Sequence, residues 1–127
     1  MTTRDQVLDA YAQYLARCNA HDFASVASFI HDRCLVNGRV RTSAEYVSDL
    51  EKVGVAFPDY RWELRRAVWE EPWLAVHLCD TGTHGGAWQG RPPTGRTVTT
   101  DEFAMYRFEA GRIAEVEVTA DTGRLPR

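Results

Sequence analysis

Cysteine is scarce in this 127-residue chain: Cys18, Cys34 and Cys79 are odd in number and widely spaced. There is no CxxC pair and no Cys/His cluster with zinc-site spacing, which argues against a disulfide framework and a structural zinc. The simplest reading is three small buried apolar side chains in a reducing compartment. No apolar run approaches the roughly 20 residues that cross a bilayer. The opening Met1-Thr2-Thr3-Arg4-Asp5 has no signal-peptide apolar segment. A cytoplasmic protein without membrane contact is expected. Basic residues are outnumbered, 15 Lys and Arg against 18 Asp and Glu, for a net charge of -3. With no basic patch, nucleic acid is not an expected partner. Gly90-Arg91-Pro92-Pro93-Thr94-Gly95 is glycine-rich, but it lacks the Lys-Ser/Thr of a P-loop and the spacing of a dinucleotide fingerprint. No serine elbow or metal cluster stands out. A protein needing no metal and no organic cofactor is expected.

What the chain does have is aromatics, four Trp, five Tyr and five Phe, in a length that suits one domain over residues 1–127. Thr3 with Gln6 forms a capping-box pattern. Val7, Leu8, Tyr11, Tyr14, Leu15 and Cys18 then recur at helical spacing. Asp22 is a plausible cap for a second short helix burying Phe23, Val26, Phe29 and Ile30. Residues 31–42 read as extended with a turn at Asn37-Gly38. Ser43 can cap a third helix carrying Tyr46, Val47, Leu50 and Val53, with Gly54 and Pro58 ending it.

Strand patterns follow. In 60–68, Tyr60, Trp62, Leu64, Arg66 and Val68 share one face. In 73–84, Leu74, Val76, Leu78, Asp80, Gly82 and His84 share a parity. A turn at Glu70-Glu71-Pro72 separates these two strands. A third strand spans roughly 96–108, and after Glu109-Ala110-Gly111 a fourth runs from Arg112 to about Asp121. Three helices followed by a meander of long antiparallel strands predict an α+β fold. Long, glycine-broken strands curl, so the sheet is expected to form a cone closed by helices, with a ligand pocket inside.

Four segments carry a family resemblance: Phe57-Pro58-Asp59-Tyr60, Gly82-Thr83-His84-Gly85-Gly86, Gly90 through Arg96, and Tyr106 through Glu115. In this order and spacing the chain resembles the SnoaL-like polyketide cyclases of the nuclear transport factor 2-like superfamily. The resemblance implies an α+β cone, a dimer packed through the outer sheet face, and a deep hydrophobic pocket. It implies cofactor-free aldol ring closure, or isomerisation, dehydration or hydroxylation in relatives, while some relatives only bind a ligand or protein. It also implies an acid–base aspartate in the last strand and a histidine in the strand before. Aligned on the Arg-x-x-x-Gly turn, those positions hold Val118 and Ala104, neither of which transfers protons. Where many members show Glu-His-Trp, this chain reads Glu115-Val116-Glu117. Asp121 matches an aspartate frequent at that strand's end.

An enzyme on this fold therefore needs its acid or base elsewhere. Asp80 is the leading candidate, because a carboxylate at an interior parity is costly unless paired, and burial would raise its pKa toward general-base range. A salt bridge to Arg66, on the apolar face of the preceding strand, is one structural alternative, and a bulge at Thr81-Gly82 turning Asp80 outward is another. His84, four residues on, could share proton work or could hydrogen-bond a loop. Enolate charge needs a donor, and His84 or Tyr106 could serve. Tyr14, Trp62, Arg66, Ala104, Val118 and Asp121 complete the expected pocket lining. Trp73, Phe103 and Met105 fall on the outer sheet face, where an exposed apolar set points to a homodimer. The functional expectation is cofactor-independent acid/base cyclisation, isomerisation or dehydration of an apolar polyketide-like substrate. A non-catalytic binding or resistance protein on the same fold is the alternative.

Overall fold

The structure, a computed structural model, describes residues 3–120. Helix α1 (Arg4–Asn19) starts at the expected box: Gln6 N donates to Thr3 Oγ1 and Thr3 N to Gln6 Oε1, at 3.2 and 2.9 Å. Val7, Tyr11, Tyr14, Leu15 and Cys18 are its buried stripe. Helix α2 (Phe23–Val26) is one turn long and passes through a 3-10 turn, Ala27–Phe29, into β1 (Ile30–Val36). Phe29 and Ile30 thus leave the helix expected to hold them. Asp22 sits at the α2 N-cap but makes no capping bond; its carboxylate takes the Ser25 hydroxyl at 2.6 Å. Asn37 and Gly38, both at positive φ, turn β1 into β2 (Arg39–Thr42).

Helix α3 (Ser43–Ala56) corrects the expected cap. Thr42, not Ser43, is the N-cap, because a Glu three residues on completes a second capping box, Thr42 with Glu45. Gly54 does not end the helix, which runs two residues further. It is glycine because a Cβ there would stand 2.8 Å from the Phe23 ring of α2.

Four long strands follow: β3 (Arg61–Glu70), β4 (Trp73–Thr83), β5 (Thr97–Glu109) and β6 (Arg112–Ala120). They pair antiparallel in sequence. The sheet order is β2-β1-β6-β5-β4-β3, with β1 parallel to β6, so the sheet is mixed rather than wholly antiparallel. The fold is α+β, as the pattern implied. β4 alternates as its parity predicts, burying Leu74, Val76, Leu78 and Asp80 against the helices. Cross-strand rows on this inner face run Trp62–Asp80–Thr100, Leu78–Glu102, Val76–Ala104–Val118 and Leu74–Tyr106–Val116. Cys18 and Cys34 are buried, but Cys79 lies on the other face of β4 and is only half-buried. Among the described residues, no helix is long and apolar enough to cross a membrane.

One bulge matters for the site. β3 pairs Leu64 with Leu78 but Arg66 with His77, so Arg65 is an extra residue and the parity inverts beyond it. Ala67 and Trp69 turn inward while Arg66 and Val68 face solvent. The expected Arg66–Asp80 salt bridge and the expected pocket role of Arg66 are therefore both wrong. A one-residue insertion flips every later side chain to the opposite face.

Candidate active site

Between α1, α3 and the inner sheet face lies a cavity of about 250 Å³. Its wall is largely apolar and aromatic. Tyr14, Leu15 and Cys18 come from α1, and Tyr46, Leu50 and Val53 from α3. Tyr60, Trp62, Tyr106, Val116 and Val118 come from the sheet and its approach. Tyr14, Trp62, Tyr106 and Val118, all named from the sequence, line this cavity. Ala104 is buried directly opposite Val118 but behind the lining. Asp121 lies outside the described residues.

The polar end of the cavity joins Asp80, the leading candidate of the sequence, to Glu102, which the sequence reading passed over. Glu102 is half-buried on β5 and is on the cavity wall. Asp80 is 1% exposed and sits behind that wall, opposite Thr100 in the neighbouring row. Residues diagonal across an antiparallel pair are within reach of long side chains, and the Glu102 and Asp80 carboxyls meet in a hydrogen bond. Tyr60 donates its hydroxyl to Asp80 Oδ2 at 3.0 Å. With both groups ionised, Asp80 Oδ1 has no donor among the described residues; a proton on Glu102 lets the two carboxyls share a hydrogen bond. Burial first, then the bond to Asp80 and its charge, push the Glu102 carboxyl up to about 9. Burial likewise raises Asp80, opposed by the bonds from Glu102 and Tyr60. Two adjacent, desolvated carboxyls that cannot both ionise hold one proton between them.

His84 goes elsewhere. It is fully buried at the far end of β4, against the Phe57 ring, and is not on the cavity wall. Its Nδ1 accepts the Thr94 N–H at 3.3 Å and lies 3.1 Å from the Thr94 hydroxyl. Its backbone joins Arg96 O and Gly95 N at 2.9 and 2.8 Å. These bonds fasten the 85–96 loop, which is the structural role weighed for this residue. An accepting Nδ1 puts the ring proton on Nε2, which has no hydrogen-bond partner among the described residues.

With this geometry in hand, comparison with known proteins places the chain. A model of the SnoaL-like polyketide cyclase family matches residues 6–126. The chain belongs to that family. No curated protein matches it. A SnoaL-like polyketide cyclase from Agrobacterium tumefaciens str. C58 is 29% identical, with a TM-score of 0.85 over 98% of this chain and 96% of that one. AclR, a hydroxylase candidate from Streptomyces galilaeus, is 24% identical and superposes with a TM-score of 0.86 over 97% and 94%. IdmH, a polyketide cyclase candidate from Streptomyces antibioticus, is 22% identical, with a TM-score of 0.83 over 94% and 95%. The last two likenesses concern the fold alone. In this SnoaL-like chain, the positions that the family resemblance assigns to a histidine and an aspartate are cross-strand neighbours, and both are apolar: Ala104 and Val118. The carboxyl pair lies beside them.

Proposed function

We propose that this SnoaL-like protein catalyses cofactor-independent proton transfer on an apolar, enolisable small molecule, with Glu102 as the group that meets the substrate. The observation that carries the reading is the Asp80–Glu102 pair, of which only Glu102 lines the cavity. In the resting state Glu102 donates its proton to Asp80, whose charge is also held by Tyr60. The other carboxyl oxygen of Glu102 is then an acceptor toward the cavity. As a substrate C–H proton moves to Glu102, the original Glu102 proton moves to Asp80, and the pair passes from one proton to two. The electron pair of the broken C–H bond stays with the substrate as an enolate. Returning a proton to another carbon gives isomerisation. Returning it to a departing hydroxyl gives dehydration, and to an aldol alkoxide, ring closure. Carboxyl groups tuned upward by burial do this work near neutral pH. Asp80 is thereby the partner behind the acid–base group and touches no substrate.

The test is α-hydrogen exchange of 2-tetralone in D2O, followed by NMR. The wild-type protein should accelerate exchange over buffer, and Glu102→Gln should lose about 10²–10⁴-fold of that rate. Exchange no faster than in buffer would favour a binding protein, the reading that Ala104 and Val118 support by leaving those positions without a proton-transfer group.

A further inference from the structure

The helix-borne wall of the cavity carries a second polar group opposite the sheet. Tyr14 of α1 and Tyr46 of α3 place their hydroxyl oxygens 2.7 Å apart, a short, well-formed hydrogen bond. Two hydroxyls own two protons, and one bond consumes one of them, whichever residue donates. The Cys18 thiol accepts a hydrogen bond from Tyr14, and sulfur is a weak acceptor, so a guest oxygen competes on favourable terms for that proton. Both rings line the cavity and Tyr46 is half-buried, so a guest oxygen can take a phenolic O–H in place of the weak sulfur acceptor. A second phenol pair, Tyr11 and Tyr106, is looser at 3.3 Å.

Charge narrows the guest further. Among the described residues, the cavity lining holds two acids, Glu102 and Asp49, and no Lys, Arg or His. Arg41, which pairs with the lining residue Asp49 at 2.7 Å, is also bound to Glu45 at 3.3 Å. Burial holds the Tyr14 and Tyr46 phenols well above their usual range, so they donate as neutral groups. Among the described residues an anionic guest would meet acids and no counter-charge on the lining, whereas a neutral oxygen acceptor finds a phenol donor already oriented.

We propose that the Tyr14–Tyr46 pair is an oxygen subsite, taking the carbonyl or phenol oxygen of an uncharged aromatic or polycyclic ligand and facing it toward Glu102. Donors that are fixed before the charge develops are what stabilise an enolate oxygen. The proposal rests on the cavity being the reaction site argued above, but not on the proton chemistry of Glu102.

Three probes of similar shape decide it: naphthalene, 2-naphthol and 2-naphthoate, titrated by fluorescence against wild type, Tyr14→Phe, Tyr46→Phe and Glu102→Gln. One neutral hydrogen bond is worth about tenfold in affinity. Wild type should bind 2-naphthol about tenfold tighter than naphthalene, and 2-naphthoate no tighter than naphthalene. Tyr46→Phe should bring 2-naphthol to within about twofold of naphthalene, and Glu102→Gln should keep the preference. Unchanged naphthalene affinity in each variant controls for cavity shape. The subsite is overturned by no preference in wild type, by a preference surviving both tyrosine variants, or by 2-naphthoate binding as tightly as 2-naphthol. A preference lost only in Glu102→Gln overturns it while leaving the proton-transfer reading intact. A tyrosine-dependent preference without 2-tetralone exchange supports the subsite and removes the enzyme.

Discussion

Replacing Glu102 by Gln should flatten the alkaline side of the stability profile. In the folded chain, burial followed by the bond to and charge of Asp80 holds the Glu102 proton up to about 9, against roughly 4.3 for a glutamate in an unfolded chain. Because the folded value is the raised one, the contribution to stability is fully present below about pH 4. It is lost as pH rises through about 9. Each tenfold in proton affinity is about 1.4 kcal/mol, which sets a ceiling of about 6 kcal/mol. The carboxyl is only half-buried and shares its proton with Asp80, so roughly 2–3 kcal/mol is the expected loss between pH 5 and 9.5. Gln keeps the donor to Asp80 but cannot ionise. Urea denaturation near pH 4.5 should therefore give similar midpoints for the two proteins, while at pH 9.5 the variant should unfold later by about 1–2 M urea. Asp80→Asn should reduce the slope without abolishing it, since burial is the larger cause. Parallel profiles for wild type and Glu102→Gln would refute the carboxyl pair as described.

Two further expectations follow from the same geometry. His84→Ala removes a fully buried ring and the acceptor for the Thr94 N–H; it should cost about 2–4 kcal/mol in urea denaturation yet leave 2-tetralone exchange within about threefold at a temperature where the variant is folded, and a loss above about 100-fold with normal melting would return His84 to the chemistry. Phe103 and Met105, 52% and 42% exposed on the outer sheet face beside Trp73, support the proposed homodimer; sedimentation velocity at micromolar concentration should show a dimer that Phe103→Glu converts to monomer, and a wild-type monomer would overturn the proposal.

Much of this architecture is legible because its signals are local. The Thr3/Gln6 box and the stripe from Val7 to Cys18 lie within one helix, and the β4 parity that singled out Asp80 lies within one strand. Thr42 was legible too, since Glu45 three residues on is the mark that Ser43 lacks. The parallel β1–β6 pairing and the inverted parity of Arg66 are not local. The first depends on where distant strands meet. The second depends on a bulge that no alternation in Arg61–Glu70 announces. Glu102 falls between. It shares its strand parity with Ala104 and Tyr106, both read as inward-facing, so an acid among inward positions was visible. What the sequence could not show was its diagonal place beside Asp80, which is a matter of β4–β5 register.

That register bears on what replaced the usual chemistry of the family. By resemblance, the proton-transfer positions are Ala104 and Val118, which share a row. Glu102 precedes Ala104 by two residues on the same face of β5, about 7 Å along the strand. If Glu102 is the acid–base group, the reacting carbon lies one row nearer the Trp62–Asp80–Thr100 end of the sheet, and the space beside Val118 receives inert ligand surface instead. Restoring only the resembled pair, with Ala104→His and Val118→Asp, would then put two polar groups against the part of the ligand that does not react. On this reasoning the double variant should lose 2-tetralone exchange rather than gain it, because it desolvates new charge in an apolar wall while Glu102 already occupies the position that meets the proton.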